Sequence, residues 1–130
     1  AVDVTFAKDS GVADYRSCDM DKGPTLGWGP NVHPKFHKAV KKLADRLEIP
    51  YQVEMLPVYS GTDGYALQIS REGIPTLCIS IPLRYMHTPV ELVHLKDIRR
   101  TGRLLKEFIA GLDDDFMDEI NLLEKKEEME

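Results

Sequence analysis

The sequence predicts an α/β fold, a sheet with helices packed on its faces. Three observations carry that prediction. Strand-like and helix-like patterns alternate from Ala1 to Leu112, and Gly, Pro and capping residues stand at the junctions. The run Thr76–Ile81 is apolar on both faces apart from Ser80, as in a central strand covered by helices.

The elements follow in order. Ala1-Val2-Asp3-Val4-Thr5-Phe6 alternates and is rich in β-branched residues, so it reads as a strand already under way. That abrupt opening leads us to expect a fragment, a processed product or one piece of a longer chain. Residues 9 to 31 hold Gly11, Gly23, Pro24, Gly27, Gly29 and Pro30 and read as loop. A helix follows, with Pro34 in its first turn and Phe36, Val40, Leu43 and Leu47 at helical spacing; Pro50 closes it. Tyr51 to Leu56 reads as a second strand. Ser60-Gly61-Thr62-Asp63 supplies turn and N-cap residues for a short helix over Ala66, Leu67 and Ile69, which Gly73 and Pro75 end. Thr76 to Ile81 is the third strand, 82 to 89 a loop, and Val90 to Leu95 a short strand or an extended connection. Asp97 is expected to cap a long final helix with Ile98, Thr101, Leu105, Phe108 and Leu112 on one face. From 113 to 130 the chain is an acidic amphipathic tail. Phe116, Met117, Ile120 and Leu123 make a stripe that suits a terminal helix, either solvated or docked on a partner subunit.

Composition narrows the classes. The chain has 130 residues, 42% of them apolar, enough for one ordinary domain with a real core. A net charge of −5 argues against nucleic acid, which needs a clustered basic surface. Lys38, Lys41 and Lys42 do cluster, but acids stand nearby in sequence and a solvated helix face accounts for them. No apolar run is long enough to span a membrane, and no signal peptide opens the chain. Cys18 and Cys78 match no zinc or redox spacing; Cys78 reads as a buried reduced thiol, which suits a reducing cytosol.

Several residues can carry chemistry. Asp3 lies within an apolar strand, where a carboxylate is costly unless it reaches a strand end, finds donors or binds a metal. His87, in Arg84-Tyr85-Met86-His87-Thr88-Pro89, follows the third strand, where open α/β sheets bind ligands; it is either a metal ligand or an ordinary surface residue. Gly61-Thr62-Asp63-Gly64 stands at a strand-to-helix junction whose amides can hold an anion or a carbonyl, or simply be capped. His33 and His37 are four apart, but no third ligand stands near them. There is no nucleophile elbow, no phosphate-cradling glycine loop and no dinucleotide fingerprint.

Five blocks appear in one order: Ala1-Val2-Asp3-Val4-Thr5, Leu26-Gly27-Trp28-Gly29-Pro30, Ser60-Gly61-Thr62-Asp63, Arg71-Glu72-Gly73-Ile74-Pro75 and Arg84-Tyr85-Met86-His87-Thr88-Pro89-Val90-Glu91. In this the chain resembles the tetrahedral aminopeptidases, a family that includes the glutamyl aminopeptidases and has members with older cellulase or endoglucanase labels. The likeness covers roughly residues 1 to 112 and implies the carboxyl-terminal part of a zinc-aminopeptidase-like catalytic domain. It implies a mixed sheet between helices carrying two adjacent divalent metals, zinc or cobalt, which bind a bridging water and polarise the scissile carbonyl. Peptides are the implied substrates and a homo-oligomer the implied assembly. Asp3 matches the aspartate on one metal and His87 the histidine on the other. Gly61, Thr62, Asp63 and Arg84 are the implied substrate-binding residues.

The family pattern also needs an upstream histidine, a bridging aspartate and a pair of glutamates, one of them the general base, and none of these can be placed here. With one ligand per metal, this chain alone is expected to bind no metal tightly and to be inactive. Two other functions compete with the aminopeptidase reading. One is a non-catalytic association module; the other is a glycosidase, for which no carboxylate pair stands out.

Overall fold

The computed structural model describes residues 1–121. Strands β1 (Val2–Phe6), β2 (Thr25–Trp28), β3 (Gln52–Met55), β4 (Ile79–Arg84) and β5 (Leu92–Val93) form one sheet. Helices α1 (Pro34–Arg46), α2 (Asp63–Gln68), α3 (Leu95–Ala110) and α4 (Phe116–Ile120) join or cover them, with one 3-10 turn at Asp14–Arg16. The sheet runs β1-β4-β2-β3, with β5 also paired to β4. It is mixed: β1 and β4 are parallel, β2 and β3 are parallel, and β2 and β5 are antiparallel to β4. The expected class, a mixed sheet with flanking helices, is the observed one.

Helices α1 and α3 pack on one face. Leu26 of β2 and Ile79 of β4 are register partners, and they meet Val40 and Ala44 of α1 and Leu104 of α3 in a single buried cluster. Side chains alternate across a strand, so the neighbouring pair Thr25 and Ser80 belongs to the opposite face. The same alternation assigns Asp3 and Thr5 of β1 and Glu54 of β3 to that second face, which is polar along its whole width. Glu54 accepts hydrogen bonds there from the hydroxyls of both Thr5 and Thr25.

Four expectations are corrected. The segment 9 to 31 is not all loop, since β2 lies in it at the middle of the sheet. Its glycines serve close approach: a Cβ on Gly27 would stand 2.9 Å from the Leu56 side chain, and one on Gly29 only 1.9 Å from the Leu56 carbonyl. The third strand runs from Ile79 to Arg84, later than Thr76–Ile81, and the loop after it starts at Tyr85. Pro82 is accepted inside that strand, opposite Thr5. Asp97 does not cap α3. His94 is the N-cap, its imidazole accepting from the Lys96 amide, while Asp97 is fully buried inside the first turn. There its carboxylate accepts from the amides of Asp21 (2.7 Å) and Gly23 (2.9 Å) and pairs with Arg100. The inward stripe of α3 is consequently rotated: Asp97, Thr101 and Leu104 face the core, while Ile98 is exposed.

Beyond α3 the chain turns back. Phe116 of α4 packs edge-on against Phe36 of α1 and Phe108 of α3, and Ile120 is buried. Leu123, the last member of the expected stripe, lies outside the described residues.

Candidate metal and substrate site

Asp3 stands opposite Ser80 in the β1–β4 register, and its Oδ1 accepts from the amide of Val4 (2.8 Å). The carboxylate is exposed and has no ion pair among the described residues.

His87 lies in the hairpin between β4 and β5. Tyr85 and His87 both have positive φ, +57° and +62°, a conformation that costs a non-glycine residue about 1 kcal/mol or more. Local bonds hold the turn: the Thr88 hydroxyl donates to the Tyr85 carbonyl (2.6 Å) and the His87 amide to Glu91 Oε1 (2.7 Å). The imidazole is left exposed without a hydrogen bond among the described residues. Arg84 ends β4 and donates from Nε to the carbonyl of Lys8 (2.9 Å), tying the exit of β1 to that of β4.

Thr62 is the N-cap of α2 and accepts from the Gly64 amide (3.2 Å). Its hydroxyl also bonds Ser60 Oγ (2.9 Å) and the Cys78 thiol (3.2 Å). Cys78 is buried and free, as expected. Gly64 sits so close to it that an added Cβ would stand 2.4 Å from Sγ. Asp63, the first residue of α2, and Gly61 are exposed.

Topology places these residues along β4. Because β2 and β3 run against β4, the turn after β3 lies where β4 begins, so Gly61–Asp63 sit beside Cys78, near the level of Asp3. Arg84 and His87 stand at the other end of β4. Ser80 and Arg84 are four residues apart, about 13 Å of strand rise, and His87 is three residues further along the chain. The register thus fixes Asp3 opposite Ser80 and starts the turn that carries His87 after Arg84. Two further groups were missed. Glu54 with its two threonines carried no motif. Cys78 was read only as core, although it anchors the Thr62 turn.

The Nδ1 atoms of His33 and His37 are both engaged in bonds to the backbone. His33 caps α1, its Nδ1 accepting from the Phe36 amide (3.3 Å), and buried His37 bonds the Gly27 carbonyl through Nδ1 (2.8 Å). Burial holds the His37 pKa below its ordinary value, and Lys41 adds to this against the Gly27 bond. Burial and Lys35 lower that of His33. Cys18 is pushed up to about 11, by burial first and then by Glu54 and Asp19.

A carboxylate oxygen and an imidazole nitrogen are suitable donors for zinc or cobalt. Two donors do not by themselves complete a two-metal centre, however. Among the described residues no group of three or more His, Cys, Asp or Glu lies together. No chemical step follows from a metal on these residues alone. Nor is any helix among the described residues long and apolar enough to cross a membrane.

The sequence pattern of the M42 glutamyl aminopeptidases matches residues 1–104, and the chain belongs to that family. It is 42% identical over 112 residues to the lysyl aminopeptidase of Pyrococcus furiosus, covering 86% of this chain and 32% of that protein. Its fold is similar to that of a TET aminopeptidase from a marine sediment Thaumarchaeota archaeon, with a TM-score of 0.83 at 29% identity, over 92% of this chain and 34% of the other. An aminopeptidase from the archaeon Desulfurococcus kamchatkensis gives 0.82 at 32% identity, over 96% and 37%. The chain thus spans about a third of the length of these relatives.

Proposed function

We propose that this chain is the carboxyl-terminal part of the catalytic domain of a two-metal aminopeptidase that removes N-terminal residues from peptides. The observation that carries the reading is the family match over residues 1–104, which takes in Asp3, His87 and all four substrate candidates. Residues 1 to 112 are the catalytic part and 113 to 130 an acidic amphipathic tail. Asp3 contributes a carboxylate to one metal and His87 an imidazole to the other. Gly61, Thr62, Asp63 and Arg84 contact the peptide. The general base and the remaining ligands come from outside these 130 residues, so the isolated chain is inactive and holds no metal tightly.

The test uses the protein that contains this chain. Asp3→Asn and His87→Gln should each lower the zinc or cobalt content measured by elemental analysis and abolish release of N-terminal residues. Unchanged metal content in both variants would reject the ligand assignment. A peptidase that stays active after exhaustive chelation would reject the two-metal chemistry.

One observation favours a second reading, association of the chain with copies of itself. Strand β1 lies at the sheet edge, and its Val2 and Phe6 are 47% and 44% exposed. Sedimentation of the chain as a dimer or larger species, dispersed by Val2→Lys and Phe6→Lys, is the expected outcome. A monomer at high concentration would count against it.

A further inference from the structure

We propose that the groove between α1 and the edge strand β3 is a docking site for an acidic peptide segment with one apolar anchor, supplied by a partner protein. The proposal is independent of the aminopeptidase reading.

The groove is an open cavity of about 580 Å³. Its floor is apolar: Trp28 and Val53, 40% and 45% exposed, together with Pro34. The rim is cationic. Lys35, Lys38 and Lys41 recur every three residues along α1, so their ammonium groups stand in a row beside the floor. No acidic residue lines the cavity, although the chain as a whole carries a net charge of −5.

Among the described residues Lys38 and Lys41 make no ion pair, and Lys35 donates only to the carbonyl of Asn121. Elsewhere Lys8, Lys96 and Lys106 each have an acidic partner, Asp19, Asp21 and Glu107. Lys38, Lys41 and Lys42 are all exposed, in keeping with the solvated helix face expected from the sequence.

The floor is held in shape before any ligand arrives. The Trp28 ring meets the buried His37 ring edge-on at 4.9 Å, and His37 is itself fixed to the Gly27 carbonyl. A preformed aromatic floor reduces the ordering cost of binding. The outer side of β3 is unpaired in the described sheet, so a segment lying along the groove also finds strand-edge N–H and C=O groups. Charge complementarity selects an acidic segment, and the apolar floor asks that it carry an anchor such as leucine or phenylalanine. A nucleic acid would need a wider basic surface than three lysines.

The experiment is titration of the chain with a short, N-acetylated, fluorescein-labelled peptide that has one leucine flanked by glutamates. The acetyl group keeps it intact whether or not the protein is a peptidase. Anisotropy reports binding directly, and Trp28, the one tryptophan of the chain, reports contact with the floor by quenching. Saturable binding that quenches Trp28 is expected. It should weaken at least about tenfold in the double variant Lys38→Glu/Lys41→Glu, and equally when glutamine replaces the peptide's glutamates. Replacing the leucine by glycine should abolish the quench. The two lysines are exposed, so circular dichroism and thermal unfolding of the double variant should match the parent. Equal affinity in the double variant or for the glutamine peptide would overturn the proposal. So would competition by phosphatidylserine vesicles at similar charge concentration, which would assign the groove to a lipid surface. Binding that appears only after removal of residues 122–130 would assign it to the chain's own acidic end and overturn it too.

Discussion

Gly23 and Gly29 show how single residues decide the middle of this sheet. A Cβ on Gly23 would stand 1.7 Å from the Pro50 carbonyl oxygen, and one on Gly29 1.9 Å from that of Leu56. Neither obstacle is a flexible side chain. Gly29→Ala should therefore force β2 and β3 apart and cost about 3 kcal/mol in urea unfolding. Asp97 matters comparably: it satisfies two loop amides and the Arg100 guanidinium, so Asp97→Ala should cost about 3 kcal/mol and release the 19–24 loop to faster hydrogen exchange. The Cys18 thiol, raised to about 11, stays protonated at pH 8, so alkylation there should be far slower than for a free cysteine. Rapid reaction of the folded chain would contradict that placement. The roles of these residues were poorly legible in sequence. Glycines that permit close approach look like glycines of a turn, and an aspartate at the start of a helical pattern looks like a cap.

At the scale of elements, the helical period located α1 and α3 well, because an apolar stripe repeated over several turns is a strong signal. The orientation of α3 was less secure. Its inward face includes two polar residues, Asp97 and Thr101, the latter bonding the Asp97 carbonyl (2.7 Å), and a hydrophobic pattern cannot single these out. Helix α4 depends on an aromatic trio. Phe36 and Phe108 stack at 5.2 Å, and Phe116 meets both edge-on. Phe116→Ala should cost about 2 kcal/mol and raise hydrogen exchange in α4 well before α1 is affected. Equal acceleration in the two helices would mean that they unfold as one unit.

At the scale of the whole molecule, the direction of the pKa shifts sets the acid response. His37 and His33 titrate below their ordinary 6.5, so protons bind the unfolded chain first. Their contribution is full above 6.5 and declines as pH falls below it. Asp21 is half-buried: desolvation pushes it up, but His94, Lys96 and Arg100 together hold it below its ordinary 3.8. Its contribution is present above 3.8 and is lost as pH falls through the lowered value. Unfolding free energy should thus be level near pH 7 to 8, decline below about 6.5 and decline again in stronger acid. A profile flat from pH 7 to 5, measured by urea unfolding, would contradict the burial of His37.

The sequence by itself determined the alternation of strands and helices, the family, and the residues worth testing as ligands, because periodicity, capping and motif order are local properties of the chain. Only the tertiary structure decided that β2 lies at the centre of the sheet, that Asp97 is a buried anchor, and that three lysines border an apolar floor. Each of these depends on which strand lies beside which and in what direction. That choice is made by packing between residues far apart in sequence, and no local pattern encodes it.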